Sequence, residues 1–94
     1  MPGKVHENIR KLRFELSLPN QAMAIINYRI DEAGRLVLLH TEVPAEFSGR
    51  GIGSHLAQGT FEIIGETCRQ AILRCPFLQM FFRNHPEYAG IVAG

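Results

Sequence analysis

Between Val43 and Ser54 the chain reads Val-Pro-Ala-Glu-Phe-Ser-Gly-Arg-Gly-Ile-Gly-Ser, with glycine at 49, 51 and 53. Glycine at alternate positions lets the backbone enter φ > 0 and brings N–H groups up to a ligand with no Cβ in the way. A helix starting here adds the unpaired N–H donors of its first turn and the positive end of its dipole. Together these suit a phosphate or pyrophosphate. Spacing separates the turn from two other phosphate loops. A Walker-type loop ends in Gly-Lys-Ser/Thr, which is missing here. A dinucleotide turn reads GxGxxG, but Leu56 stands where its third glycine belongs. Cys75-Pro76 takes the place of the acidic residue expected about twenty positions on. The same three glycines would also serve a helix start with a loose turn and no ligand.

Further candidates flank the turn. His40 and Glu42 alternate with Leu36 and Leu38, which predicts that all four point to one face near the end of a strand. Histidine titrates near neutrality and suits a general base. Glu42 would orient it or act through water. The plainer alternative is a half-buried strand histidine and a glutamate paired with a lysine or arginine. Cys75 is a candidate nucleophile, general acid or small buried hydrophobe. Activating its thiol would take a cation or a helix N-terminus. Cys68 aligns with a helical apolar stripe and reads as core, while His55 lies opposite that stripe, toward solvent. His6, His40, His55 and His85 form no HxxxH or HExxH pattern, and the two cysteines form no CxxC pair, so no metal site is expected.

A short series of elements must position these residues. Arg10 to Leu18 alternates, with Phe14, Leu16 and Leu18 on one face, and predicts a half-buried first strand. Pro19-Asn20 signals a turn. Ala22 to Ile30 reads as a second strand, joined through Asp31-Glu32-Ala33-Gly34 to a third at Arg35 to Val43. That third strand is apolar on both faces at Leu36–Leu39 and is ended by Pro44. From Ile52 to about Arg69 the apolar residues recur at steps of three and four, one stripe of a helix. Ala71 to Phe77 is a short β-like run closed by Pro76. A strand–helix–strand unit of this size predicts a parallel pair with a right-handed crossover. Leu78 to Asn84 suggests a short helix, and Tyr88 to Gly94 a partly frayed tail.

Ninety-four residues predict one domain spanning 1–94. The net charge of +1 gives no electrostatic reason to expect nucleic acid or an anionic membrane. Lys4, Arg10, Lys11 and Arg13 sit among Glu7 and Glu15 and read as a solvated strand face. No apolar run reaches the roughly 20 residues needed to span a bilayer. Residues 1–20 lack a signal-peptide core, and with two cysteines free of metal spacing this predicts the cytoplasm.

The turn, with a strand before it and a helix after it, resembles motif A of the GNAT superfamily of N-acetyltransferases, Gln/Arg-x-x-Gly-x-Gly/Ala. Gly51 and Gly53 match its small positions, and Ser48 stands where Gln or Arg belongs. The runs His40-Thr41-Glu42-Val43-Pro44, Gly49-Arg50-Gly51-Ile52-Gly53, Cys75-Pro76-Phe77 and His85-Pro86-Glu87-Tyr88 are similar to those of the very small GNAT-like proteins of about a hundred residues. The likeness covers about Arg13 to Val92. It implies an α+β, minimal acyl-CoA N-acyltransferase (GNAT-like) fold of order β-β-β-α-β-α, a mixed sheet with strands three and four parallel and splayed. It implies acetyl-CoA or coenzyme A as cofactor, held by Val43, Ser48, Gly49, Arg50, Gly51, Ile52, Gly53, Ser54 and Phe81. Transfer of acetyl to an amine-bearing acceptor would then fall to His40, Glu42 and Cys75, with strand N–H groups near Val43 toward the oxyanion. Phe81 and Phe82 stand where many members of the superfamily carry a tyrosine acid. The chain lacks room for the parts that shape the acceptor site in larger members, which implies a large acceptor or a second subunit, as in a homodimer.

Overall fold

The computed structural model describes residues 3–93. Strands β1 (Val5–Asn8), β2 (Arg13–Ser17), β3 (Met23–Ile30) and β4 (Leu36–Glu42) run antiparallel, each to the next. Helix α1 (Ile52–Glu66) crosses to β5 (Ala71–Leu73), which pairs parallel with β4, and α2 (Pro76–Asn84) follows. The sheet order is β1-β2-β3-β4-β5. The order β-β-β-β-α-β-α therefore has one strand more than expected from the sequence, and the parallel pair is β4 and β5. The added strand, β1, reads Val-His-Glu-Asn and has a single apolar residue, so alternation could not announce it. Long-range contacts hold it. Val5 seats against α1 at Gly59, where an added Cβ would lie 2.5 Å from Val5 Cγ2.

Alternation works where it was read. Phe14, Leu16, Ile26, Tyr28, Leu36 and Leu38 turn their side chains to one face. There they meet Leu56, Phe61 and Ile64 of α1 and Leu78 and Phe81 of α2. The polar turn after β3 is closed by Asp31, whose Oδ1 accepts from the N–H groups of Ala33 (2.9 Å) and Arg35 (2.8 Å).

Several boundaries differ from expectation. The first expected strand starts at Arg13 and not at Arg10, because Ile9–Lys11 form a 3₁₀ turn and Leu12 is left-handed. Helix α1 ends at Glu66, so Cys68 lies past the helix, exposed and with φ +56°, and is not core. Strand β5 stops at Leu73, because Pro76 opens α2, and proline at a first helical position is preorganised for it. The tail is not frayed where it passes β5: Ala71 donates to Ile91 O (2.7 Å) and accepts from Ala93 N (2.8 Å).

Of the N-terminal charges, Lys4, Arg10 and Lys11 are exposed as expected, but Arg13, Glu7 and Glu15 are not a solvated face. Glu15 is 4% exposed, and its carboxylate is met by His6 Nε2 (2.8 Å), Asn8 Nδ2 (3.1 Å) and Arg13 Nε (2.6 Å). Burial pushes this carboxyl up, and the bonds from Arg13, Asn8 and His6 more than reverse that, leaving it below its ordinary range. Glu7 is gripped by both terminal nitrogens of Arg69 (2.6 and 3.0 Å) and by the Tyr28 hydroxyl. The Arg69 bonds hold its carboxyl below the usual range against the effect of burial, with Tyr28 helping. In turn burial, with Glu7 beside it, pushes the Tyr28 phenol up to about 12. Among the described residues no helix is long and apolar enough to cross a membrane.

Candidate functional site

The two ends of β4 do different work. Its first half is clamped on both sides, by β3 and by β5 through Leu36–Ala71, Val37–Ile72 and Leu38–Leu73. There the parallel ladder stops. Arg74 and Cys75 both donate their N–H groups to Leu38 O (3.0 and 3.2 Å) as the chain turns into α2. Strand β4 runs on to Glu42 with β3 on one side and, among the described residues, no strand opposite.

A register shift falls at the same place. Asn27 pairs with His40 and Tyr28 with Leu38, so Leu39 is an extra residue on β4. Residues opposite one another in a ladder share a face. Before the bulge, Leu36 and Leu38 face the helices. After it, Thr41 takes that face opposite Ile26, while His40 and Glu42 lie opposite Asn27 and Ile25 on the face away from the helices. The alternation that put His40 and Glu42 on the face of Leu36 and Leu38 is thus broken by one residue. His40 and Glu42 still share a face with each other. His40 Nε2 lies 3.2 Å from Glu42 Oε2, and their side chains are 57% and 64% exposed. Glu42 pairs with this histidine and not with a lysine or arginine.

Beyond Pro44, a single 3₁₀ turn (Ala45–Phe47) leads to the glycines. Gly49 (φ +77°) and Gly51 (φ +74°) are both left-handed, a region that costs other residues strain. Gly51 is the N-cap of α1, and its carbonyl accepts the helix's first bond, from His55 N (3.0 Å). No side chain caps this end. The N–H groups of Ile52, Gly53 and Ser54 precede that bond and have no intrahelical partner. They border a depression of about 250 Å³ lined by Val43, Phe47, Ser48, Gly49, Gly51, Ile52, Gly53, Ser54 and Phe77. The Ser48 hydroxyl donates back to Ala45 O (2.9 Å), closing the turn. Arg50 carries its guanidinium 5.6 Å from the centroid of the Phe47 ring, which itself lines the depression.

Eight of the nine residues expected to hold a cofactor thus gather at one turn. Phe81 does not. Its ring is 6% exposed, stacked on His85 at 4.0 Å and edge-on to Phe61 at 5.5 Å, inside the core. The aromatic rings that do reach the depression are Phe77 and Phe47. A helix that starts at Pro76 puts Leu78 and Phe81 on its buried stripe and Phe77 on its exposed one. Proline at the first helical position was the available signal. Phe47 had none.

Cys75 sits where β5 gives way to α2, as its N-cap. It is 5% exposed, and its Sγ lies 3.5 Å from Thr41 Oγ1 of β4. Among the described residues Thr41, not singled out in the sequence reading, is the one side chain that bridges the gap beyond the parallel ladder by a hydrogen bond.

A mixed sheet whose parallel pair stops beside a glycine-rich helix start is a GNAT-like α+β arrangement. The chain belongs to the GCN5-related N-acetyl-transferase family, whose family model matches residues 13–91. It is 39% identical over 86 residues to Protein NATD1 of Gallus gallus, covering 90% of this chain and 78% of that one. Protein NATD1 of Homo sapiens is 30% identical over 86 residues, covering 90% and 76%. The solution structure of a GCN5-like protein from Staphylococcus aureus superposes with a TM-score of 0.71, at 24% identity, over 97% of this chain and 88% of that one, a likeness of fold.

Proposed function

We propose that this protein is an acetyl-CoA-dependent N-acetyltransferase that delivers an acetyl group to an amine by direct attack on the thioester. The observation that carries the reading is the uncapped start of α1, with Gly49 and Gly51 both left-handed, opening beside the unpaired end of β4. The N–H groups of Ile52, Gly53 and Ser54, with the helix dipole, hold the anionic phosphates. Val43, Phe47, Ile52 and Phe77 line the depression with apolar surface. Bound acetyl-CoA supplies the activated acyl group. His40 takes the proton from the acceptor ammonium, and Glu42, bonded to its ring nitrogen, orients the imidazole. Backbone N–H groups near Val43 stabilise the oxyanion. Cys75 serves as proton donor or as core, and is not the nucleophile, since its sulfur is shared with Thr41 and no ion pair reaches it. The exposed setting of His40 and Glu42 suits an amine presented by a large acceptor or beside a second subunit. Free thiols at Cys68 and Cys75 fit the cytoplasm.

Calorimetry with CoA tests the cradle. Gly51→Glu sets a negative charge against the phosphates and abolishes binding. Gly51→Ala carries the same backbone strain without the charge and keeps part of it. Far-UV circular dichroism shows both folded. Unchanged affinity in Gly51→Glu overturns the reading. Acetyl-CoA with a panel of amines, polyamines, amino acids and peptides then reads transfer. Intact mass measurement shows no stoichiometric acetyl adduct on Cys75. One that forms and decays at the turnover rate makes the reaction ping-pong. A non-catalytic CoA-binding module is the second reading, favoured by the Ser48 hydroxyl being tied to Ala45 O, and binding without transfer supports it.

A further inference from the structure

The second small position of the turn has a neighbour that explains why it is glycine. A Cβ built on Gly53 would lie 2.9 Å from Phe77 Cζ, with Cε2 and Cε1 at 3.4 and 3.5 Å. At Gly49 and Gly51 a Cβ would meet nothing within 4 Å. Gly53 does not have a left-handed φ, so its backbone alone admits alanine. The constraint at 53 is the ring, and the ring is not part of the core: Phe77 is 41% exposed and lines the depression. Its distal edge reaches from the first turn of α2 to the first turn of α1. It thereby forms an apolar wall of the depression that the first turn of α1 also lines.

We propose that Phe77 is the specificity-determining residue of this site: its ring, resting on Gly53, is the surface against which the uncharged arm of a thioester-bearing nucleotide lies. The proposal rests on the reading of the turn as a CoA cradle and assigns the two halves of the ligand to different groups. The nucleotide half is held by N–H donors of α1. The neutral arm is held by contact with Phe77, and Gly53 keeps that ring in place. A large apolar ring left in water gains by being covered, and covering only part of it is worth about tenfold in affinity.

Calorimetry with two probes, CoA and 3′-phosphoadenosine 5′-diphosphate, separates the halves. Phe77→Ala weakens CoA about tenfold and leaves the nucleotide half within about twofold. Phe77→Leu, which keeps apolar bulk at an exposed position, retains most of the CoA affinity and guards against a folding artefact. Gly53→Ala displaces the ring and weakens CoA several-fold in the natural background, but adds nothing in the Phe77→Ala background. That coupling is the signature of the contact. If Phe77→Ala binds CoA like the natural protein, or loses both probes equally, Phe77 has no such role. If the natural protein binds neither probe, the cradle reading itself fails. Binding of the nucleotide half with indifference to Phe77 retains the cradle and overturns only the wall.

Discussion

The open face of the sheet carries two histidine–glutamate pairs, one at each side. His6 and Glu15 lie on β1 and β2, and Ile25 separates them in the cross-strand row from Glu42 of the second pair, His40 and Glu42 on β4. The chemistry is the same and the settings are opposite. Glu15 is buried, and both its oxygens are taken, by three donors from three residues. Glu42 is 64% exposed with one partner, and His40 is 57% exposed. Satisfying a buried carboxylate fixes its neighbours, because leaving any of its donors unmatched costs free energy. A pair open to water gains little from its own contact and keeps its lone pairs and proton free for a ligand. Bonding and burial, not residue type, mark which pair is structural and which is available for chemistry.

The sharpest way to break this comparison is to remove each histidine in turn. A general base contributes roughly 10²–10⁴-fold to rate. His40→Ala is therefore expected to lower kcat by a factor in that range, once an acceptor is found, with CoA affinity and thermal stability unchanged. His6→Ala should leave kcat alone and lower stability by about 1 kcal/mol. Full activity in His40→Ala would return His40 to an ordinary surface role, and equal losses in the two variants would erase the distinction.

The carboxylates give the next effect. Glu15→Ala leaves Arg13, Asn8 and His6 without their common acceptor, and we expect a loss of about 2–3 kcal/mol in denaturant unfolding. Glu42→Ala should cost under about 0.5 kcal/mol. Comparable costs would mean that the His40–Glu42 pair is structural.

Neither of these two settings could be read whole in the sequence. Strands, hairpin and helix stripe were legible because burial on one face imposes a period: Phe14, Leu16 and Leu18 at two, Ala57, Phe61 and Ile64 at four and three. The glycine turn was legible because left-handed φ at 49 and 51 restricts residue type. The locked pair was not, because β1 has no apolar period and His6 meets Glu15 only through strand pairing. The bulge at Leu39 was invisible for a related reason: nothing in Leu-Leu-His-Thr marks an extra residue, and one residue decides which face His40 takes. The exchange of Phe81 for Phe77 at the depression turned on where α2 starts, two residues earlier than the apolar run suggested.

The second locked network, Glu7 with Arg69 and Tyr28, extends the comparison to pH. The Tyr28 phenol titrates at about 12 in the fold, above its ordinary 10.0, so the folded state holds that proton more tightly than the unfolded chain does. Its contribution is fully present below pH 10 and is lost as pH rises toward 12. On the acid side the signs reverse. Glu7 and Glu15 have lowered values, so their stabilisation is present above the ordinary carboxylate range near 4.5 and is lost as pH falls through the folded values. Tyr28→Phe should flatten the alkaline limb of stability against pH and cost about 1 kcal/mol at neutral pH. An unchanged alkaline limb in Tyr28→Phe would place the loss elsewhere, with Tyr88 the first residue to test, since burial raises its phenol too.

The smallest effect concerns a cation on the open side. Arg13 and Arg69 are bound to carboxylates, whereas Arg50 rests on an aromatic face, its guanidinium 5.6 Å from the Phe47 centroid. That contact holds the side chain over Phe47, a residue that lines the depression, without using its N–H donors, so they stay available to a phosphate. An exposed ion contact is worth about 1 kcal/mol or less, because water and salt screen it. The N–H groups of Ile52, Gly53 and Ser54 are fixed by the helix and need no ordering when a ligand arrives. Arg50→Ala should thus weaken CoA only several-fold, and less at high salt. Arg50→Lys should not fully restore it, since an ammonium stacks less well on Phe47. A thousandfold loss in Arg50→Ala would mean that the side chain and not the backbone holds the phosphates, and the exposed side of the molecule would then depend on a single charge as strongly as Glu15 depends on its three donors.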